Sequence, residues 1–97
     1  MKIVKEAMAG TLESSDVLVK VAPSDGPLDV VVKSEVERQF GAQIRRVVFE
    51  TLERLAISDG IVIVEDKGAL DCTIRARLQT AVLRGGEVER LDWSVLS

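Results

Sequence analysis

No histidine and no tyrosine occur among the 97 residues, and there is a single cysteine, Cys72. Without an imidazole, neither a Ser-His-Asp nor a Cys-His catalytic arrangement can be assembled within the chain. One thiol leaves no ligand cluster for an ordinary zinc site, and no spaced Asp/Asn loop of the calcium type is present. Nowhere do roughly eighteen apolar residues run together, so a membrane span is not expected. The opening Met1-Lys2-Ile3-Val4-Lys5-Glu6 lacks the apolar stretch of a signal peptide. With only one cysteine, these features point to the cytoplasm. Charge of one sign is also lacking: thirteen basic and sixteen acidic residues leave a net charge of -3. That balance provides no electrostatic footprint for nucleic acid or an anionic membrane, and a protein partner is expected instead.

The 46% hydrophobic fraction and 30% charged fraction are those of an ordinary folded protein, and the length fits one compact domain spanning residues 1–97. From Met8 to Val21 the pattern reads strand, tight turn, strand, with Glu13-Ser14-Ser15-Asp16 as the turn and Val17, Val19 and Val21 on one face. Pro23-Ser24-Asp25-Gly26-Pro27 reads as a second turn. Leu28, Val30 and Val32 then share one face of a third, half-buried strand.

Ser34-Glu35-Val36-Glu37 has the form of a capping box and opens a helix. Val36, Phe40, Ile44, Val47, Val48, Leu52 and Leu55 recur along it at helical spacing. Gly41 inside that helix reads as a point of close packing against a strand. Ile61-Val62-Ile63-Val64 is β-branched throughout and suits a central strand buried on both faces. Leu70, Ile74, Leu78, Ala81 and Val82 mark a second helix, which leaves through Gly85-Gly86. The order β-β-β-α-β-α predicts an α+β two-layer sandwich, a mostly antiparallel four-stranded sheet covered by two helices. The tail over residues 85–97, with Leu91, Trp93, Val95 and Leu96, is expected to dock on the domain or on a partner, Trp93 serving as a packing anchor or a docking hot spot.

The Ser14-Ser15 pair is the one exposed constellation with a chemical handle. Serine and aspartate are ordinary turn residues, because their side chains bond nearby backbone groups. A serine nucleophile would need a base, and Glu13 and Asp16, read as solvated and weakly basic, do not serve. A passive role remains, in which another enzyme modifies a presented hydroxyl, and on local grounds either serine qualifies. Cys72, one turn into the second helix, reads as small buried filler. Arg75, Arg77 and Arg84 form either a solvated helix face or contacts to phosphates or an acidic partner surface.

Two blocks carry a resemblance: Ala9-Gly10-Thr11-Leu12-Glu13-Ser14-Ser15-Asp16-Val17, and Asp66-Lys67-Gly68-Ala69-Leu70-Asp71-Cys72 followed by Ile74-Arg75-Ala76-Arg77. Gln39-Phe40-Gly41 and Leu91-Asp92-Trp93 add weaker agreement. In these the chain resembles the acyl carrier (gamma) subunits of citrate lyase, over nearly its whole length. The resemblance implies a noncatalytic carrier in which Ser14, with Ser15 as runner-up, bears 2'-(5''-phosphoribosyl)-3'-dephospho-coenzyme A through a phosphodiester bond. It implies that the terminal thiol of that arm carries acetyl and citryl thioesters between a transferase (alpha) and a lyase (beta) subunit as citrate is cleaved to oxaloacetate and acetate. It further implies a prosthetic-group transferase as partner, for which Glu13 and Asp16 are either docking contacts or a merely solvated acidic turn. A mobile tip is expected, since it must visit two active sites. Ordinary acyl carriers are helical bundles modified on an Asp-Ser-Leu motif, and no Asp-Ser pair occurs here. The malonate decarboxylase carrier is the nearer alternative, but its serine tends to sit in a Gly-Ser-Gly-Asp turn. The other alternative is a small α+β interaction module whose serine turn is only a turn.

Overall fold

A computed structural model describes residues 2–86 of the chain. Its elements follow the expected order: β1 (Ala7–Gly10), β2 (Val17–Pro27), β3 (Asp29–Ser34), α1 (Glu37–Arg54), β4 (Asp59–Asp66) and α2 (Asp71–Gly85). The strands form one sheet in the order β1-β2-β4-β3. Two of its three pairings are antiparallel, β1 with β2 and β2 with β4, while β3 and β4 run parallel. The parallel pair follows from connectivity: strands that point the same way need a long crossover, and α1 supplies it. The expected α+β sandwich is therefore observed, with a mixed sheet.

Alternation along the strands builds the core. Val17, Val19 and Val21 of β2 and Val62 and Val64 of β4 point to the helical side and are buried. Against them pack Ile44, Val47, Val48, Leu52 and Leu55 from α1 and Ile74, Leu78, Ala81 and Val82 from α2. Both periodicities read from the sequence, two for the strands and 3.6 for the helices, are thus satisfied by one interface.

Several expectations are corrected. β4 is central, but it is buried on one face only: Ile61 and Ile63 lie on the opposite, helix-free face and are half-buried. The segment Pro23–Pro27 is no turn but the continuation of β2, which carries a register irregularity between Ala22 and Pro27. β1 pairs with β2 only as far as Val21, and the ladder to β4 is interrupted between Ala22 and Pro27, so proline is tolerated where the regular pairing lapses. Ser34 is not the cap residue of α1, which begins at Glu37 after Val36 without a side-chain cap; its hydroxyl accepts the Val36 amide at 3.0 Å and donates to Asp66 Oδ2 at 2.8 Å, holding the approach to the helix rather than its first turn. A Cβ on Gly41 would meet the Glu37 carboxylate at 2.7 Å rather than a strand, and that carboxylate pairs with Arg45. Phe40 and Leu70, read as stripe residues, are 50% and 72% exposed. Cys72 is exposed, not buried. It lies two residues from Ile74, on the opposite side of α2, because two helical steps turn the side chain by about 200°. Trp93 and the expected docking tail from residue 87 onward lie outside the described residues.

Burial separates the two kinds of stripe residue. Leu78→Ala should lower unfolding free energy by about 2–5 kcal/mol through lost contacts and a cavity. Phe40→Ala should cost less than about 1 kcal/mol. Urea denaturation of the two variants checks both values.

Candidate functional site

The β1–β2 hairpin turns through residues 11–16, and its geometry starts at Gly10. That residue has φ +95°, and a Cβ there would stand 1.8 Å from the Val17 carbonyl oxygen, so only glycine lets the two strands close. Beyond it, the Thr11 hydroxyl donates to Asp16 Oδ2 at 2.7 Å and accepts the Glu13 amide at 3.2 Å. The Asp16 amide donates to the Glu13 carbonyl at 3.1 Å. Ser15 takes the left-handed conformation at φ +65°, which reverses the chain.

Asp16 fastens the turn to the body of the domain. Its Oδ1 accepts the Val17 amide at 2.8 Å, and Arg77 of α2 reaches its two oxygens through Nε and Nη2, each at 3.3 Å. The carboxylate is 16% exposed. The Thr11 hydroxyl foremost and then the Val17 amide hold it below the ordinary aspartate pKa against the opposing effect of burial, and the hydrogen bond and charge of the Arg77 guanidinium each contribute less than either bond. Asp16 is therefore no solvated turn residue, and its role as an anchor is one that local sequence reasoning misses.

The second fastening is backbone to backbone. The Ser15 amide donates to the Lys67 carbonyl at 2.8 Å, and the Lys67 amide to the Asp16 carbonyl at 2.9 Å. Lys67 is placed by its neighbour Asp66, which is 2% exposed. Asp66 Oδ2 accepts from Ser34 Oγ at 2.8 Å and from the Gly68 amide at 3.1 Å, and Oδ1 accepts the Ala69 amide at 2.9 Å. A legible signal for this exists: in Asp66-Lys67-Gly68, an aspartate two residues before a glycine is the pattern of an Asx turn. The Lys67 ammonium, hydrogen-bonded to Glu35 Oε1 at 2.8 Å, has its pKa raised, chiefly by that bond and then by the Glu35 charge.

The two densest blocks of the sequence thus meet in space around one turn. What they leave free is Ser14: its side chain is exposed, and its hydroxyl has no partner among the described residues. Ser15 is also exposed, but its amide is engaged and its backbone is left-handed. Of the three arginines, Arg77 belongs to this site and Arg84 donates to the Met8 carbonyl at 2.9 Å. Arg75 lies instead beside Glu50, Thr51, Glu53 and Arg54, between the helices. Glu13 is exposed on the turn. Among the described residues no helix is long and apolar enough to cross a membrane.

Comparison with known proteins gives a consistent picture. The family model described as malonate decarboxylase delta subunit, an acyl carrier protein, matches residues 4–85. The citrate lyase acyl carrier protein of Enterobacter sp. (strain 638) is 65% identical over 97 residues, covering 100% of both chains. That of Pectobacterium carotovorum subsp. carotovorum (strain PC1) is 62% identical over 96 residues, 99% of this chain and 100% of the relative. That of Vibrio cholerae serotype O1 (strain M66-2) is 53% identical over 98 residues, again covering 100% of both. Among solved structures, a chain of a Pseudomonas malonate decarboxylase hetero-tetramer in complex with malonate has the same fold, with a TM-score of 0.72 at 22% identity over 89% of this chain and 93% of that one. Aligning end to end with these carriers, the chain belongs to the family of citrate lyase acyl carrier proteins.

Proposed function

We propose that the chain is the acyl carrier (gamma) subunit of a citrate lyase and that Ser14 is the attachment point of 2'-(5''-phosphoribosyl)-3'-dephospho-coenzyme A. The observation that carries the residue assignment is the contrast within the turn. Every polar side chain around Ser14 that has a partner is committed to holding the turn, whereas the Ser14 hydroxyl is exposed and uncommitted. The surroundings fit a bulky phosphodiester. A Cβ placed on Gly68 would meet nothing within 4 Å, so space is open beside the turn, and the Arg77 guanidinium remains 42% exposed next to it.

Once attached, the group supplies a terminal thiol on which an acyl unit is carried as a thioester. The chain's own residues do something simpler: they present one oxygen. Asp16, held below the ordinary aspartate pKa and engaged by Thr11, Val17 and Arg77, is too weak a base to activate Ser14. The proton on Ser14 Oγ must therefore pass to a base on the modifying enzyme, and this chain is noncatalytic. Covalent attachment at a fixed point keeps the acyl group at high effective concentration around the complex, in place of repeated diffusive capture. The partners are accordingly the alpha and beta subunits and the prosthetic-group transferase. A second reading, carriage of malonyl units, is favoured by the description of the matching family model, and the substrate of the assembled complex discriminates it.

Intact mass and fragmentation of protein from citrate-grown cells should locate one added group on Ser14. Ser14→Ala should abolish citrate cleavage by a reconstituted complex while moving stability by no more than about 0.5 kcal/mol; retained activity would overturn the assignment, and Ser15→Ala should remain modifiable. The turn also predicts a pH dependence. A folded-state pKa below the unfolded value makes Asp16 stabilising above the ordinary aspartate pKa of about 4, and that stabilisation is lost as pH falls through the lower folded value. The gap in melting temperature between wild type and Asp16→Asn should be full at neutral pH and close progressively below about pH 4.

A further inference from the structure

Strand β3 is an edge of the sheet: β4 pairs with one side of it, and no described strand pairs with the other. An open edge presents a row of backbone donors and acceptors that a further strand can satisfy. Asp29, Val31 and Lys33 point to the helix-free face and are exposed, and Val30 and Val32, although on the helical side, are only half-buried. Neither Asp29 nor Lys33 has an ion pair among the described residues.

The spacing of these residues is self-complementary. If two copies of β3 run antiparallel about a dyad at Val31, Val31 faces Val31, Val30 faces Val32, and Asp29 of each copy faces Lys33 of the other. The rows across the sheet then match as well. Within one chain Ile63 lies beside Val31, Ile61 beside Asp29, and Glu65 beside Lys33. Across the dyad the central row becomes Ile63, Val31, Val31, Ile63. The row beside it becomes Glu65, Lys33, Asp29, Ile61, the last two from the second copy. Each lysine is thereby set between two carboxylates, and the apolar residues meet at the centre. Moving the pairing by one residue would turn the side chains to the wrong faces and separate Asp29 from Lys33, setting one of them against a valine.

We propose that β3 is a self-association edge through which two copies of this chain form a continuous eight-stranded sheet, with Asp29 and Lys33 fixing the register. The proposal does not involve Ser14. One strand pairing is a small interface, so the dimer is weak and reversible, and it weakens further with salt as the exposed charge pairs are screened.

Sedimentation velocity on the full-length chain, from about 10 µM to about 1 mM, covers the affinities such an interface gives. Wild type should approach twice the monomer mass at the upper end. Asp29→Lys sets lysine against lysine twice across the dyad, and Lys33→Asp sets aspartate against aspartate. Each should weaken association about tenfold or more at low salt. The double variant Asp29→Lys with Lys33→Asp restores opposite charges and should recover the wild-type dimer. Thermal melts of the dilute, monomeric variants separate loss of pairing from loss of folding. Wild type that stays monomeric throughout, or single reversals that dimerise as wild type does, would overturn the proposal. So would a failure of the double variant to recover, since a strand from another subunit occupying this edge would give no rescue.

Discussion

The buried carboxylate of Asp66 is the interaction on which the arrangement of the site depends. It ends the central strand β4 and gathers donors from three places: the end of β3 through Ser34, and the Gly68 and Ala69 amides that lead into α2. Hydrogen bonds to a charged acceptor in a shielded position are stronger than neutral ones, and a buried carboxylate left without them would be costly. The Asp66 carbonyl also receives the Glu35 amide, which fixes the approach to α1. One residue thereby sets where both helices start relative to the sheet. With Lys67 held in place by this network, its backbone can receive the serine turn.

The turn itself inverts what is usual for a reactive serine. In a hydrolase the acid and base near the hydroxyl are arranged to act on it, whereas here the carboxylate beside it is consumed by Thr11, Val17 and Arg77. The same residues that engage the carboxylate also tie the turn to β2 and α2. Ser14 is what remains exposed once these bonds are made.

The fold was largely legible because its signals are periodic. Val17-Val19-Val21, Val62-Val64 and the Ile74-Leu78-Val82 stripe each declare a face, and packing those faces together leaves little choice of architecture. What escaped had non-local causes. Pro23–Pro27 looks like a turn unless it is known that β1 stops at Val21 and that the pairing with β4 is irregular between Ala22 and Pro27. Ser34 has an ideal local capping pattern, but the helix starts two residues later than the pattern places it: Ser34, tied to an acid 32 residues away, accepts the Val36 amide and stays at the end of β3. Phe40 and Leu70 keep the helical period while overhanging the ends of the packed layer, so period alone overstates their burial. At the site, the position of the serines was readable from turn chemistry and from the resemblance. The Arg77–Asp16 contact, across 61 residues, could not be read from either.

The attachment of the turn to β2 also has a mechanical side. If the proposed group is carried on Ser14, any pull on it reaches the domain at the start of β2, and the part of that pull directed along the strand is the part the ladder meets. Antiparallel ladder bonds lie across the strand direction, so such a pull acts on them in shear, and β2 is laddered to β4 from Val17 through Ala22. Six residue pairs share the strain, rather than opening one after another as they would if the strand were peeled from its end. On the proposed reading, the place where the arm would join the chain is thus one from which a pull along β2 is shared by the longest ladder of the sheet.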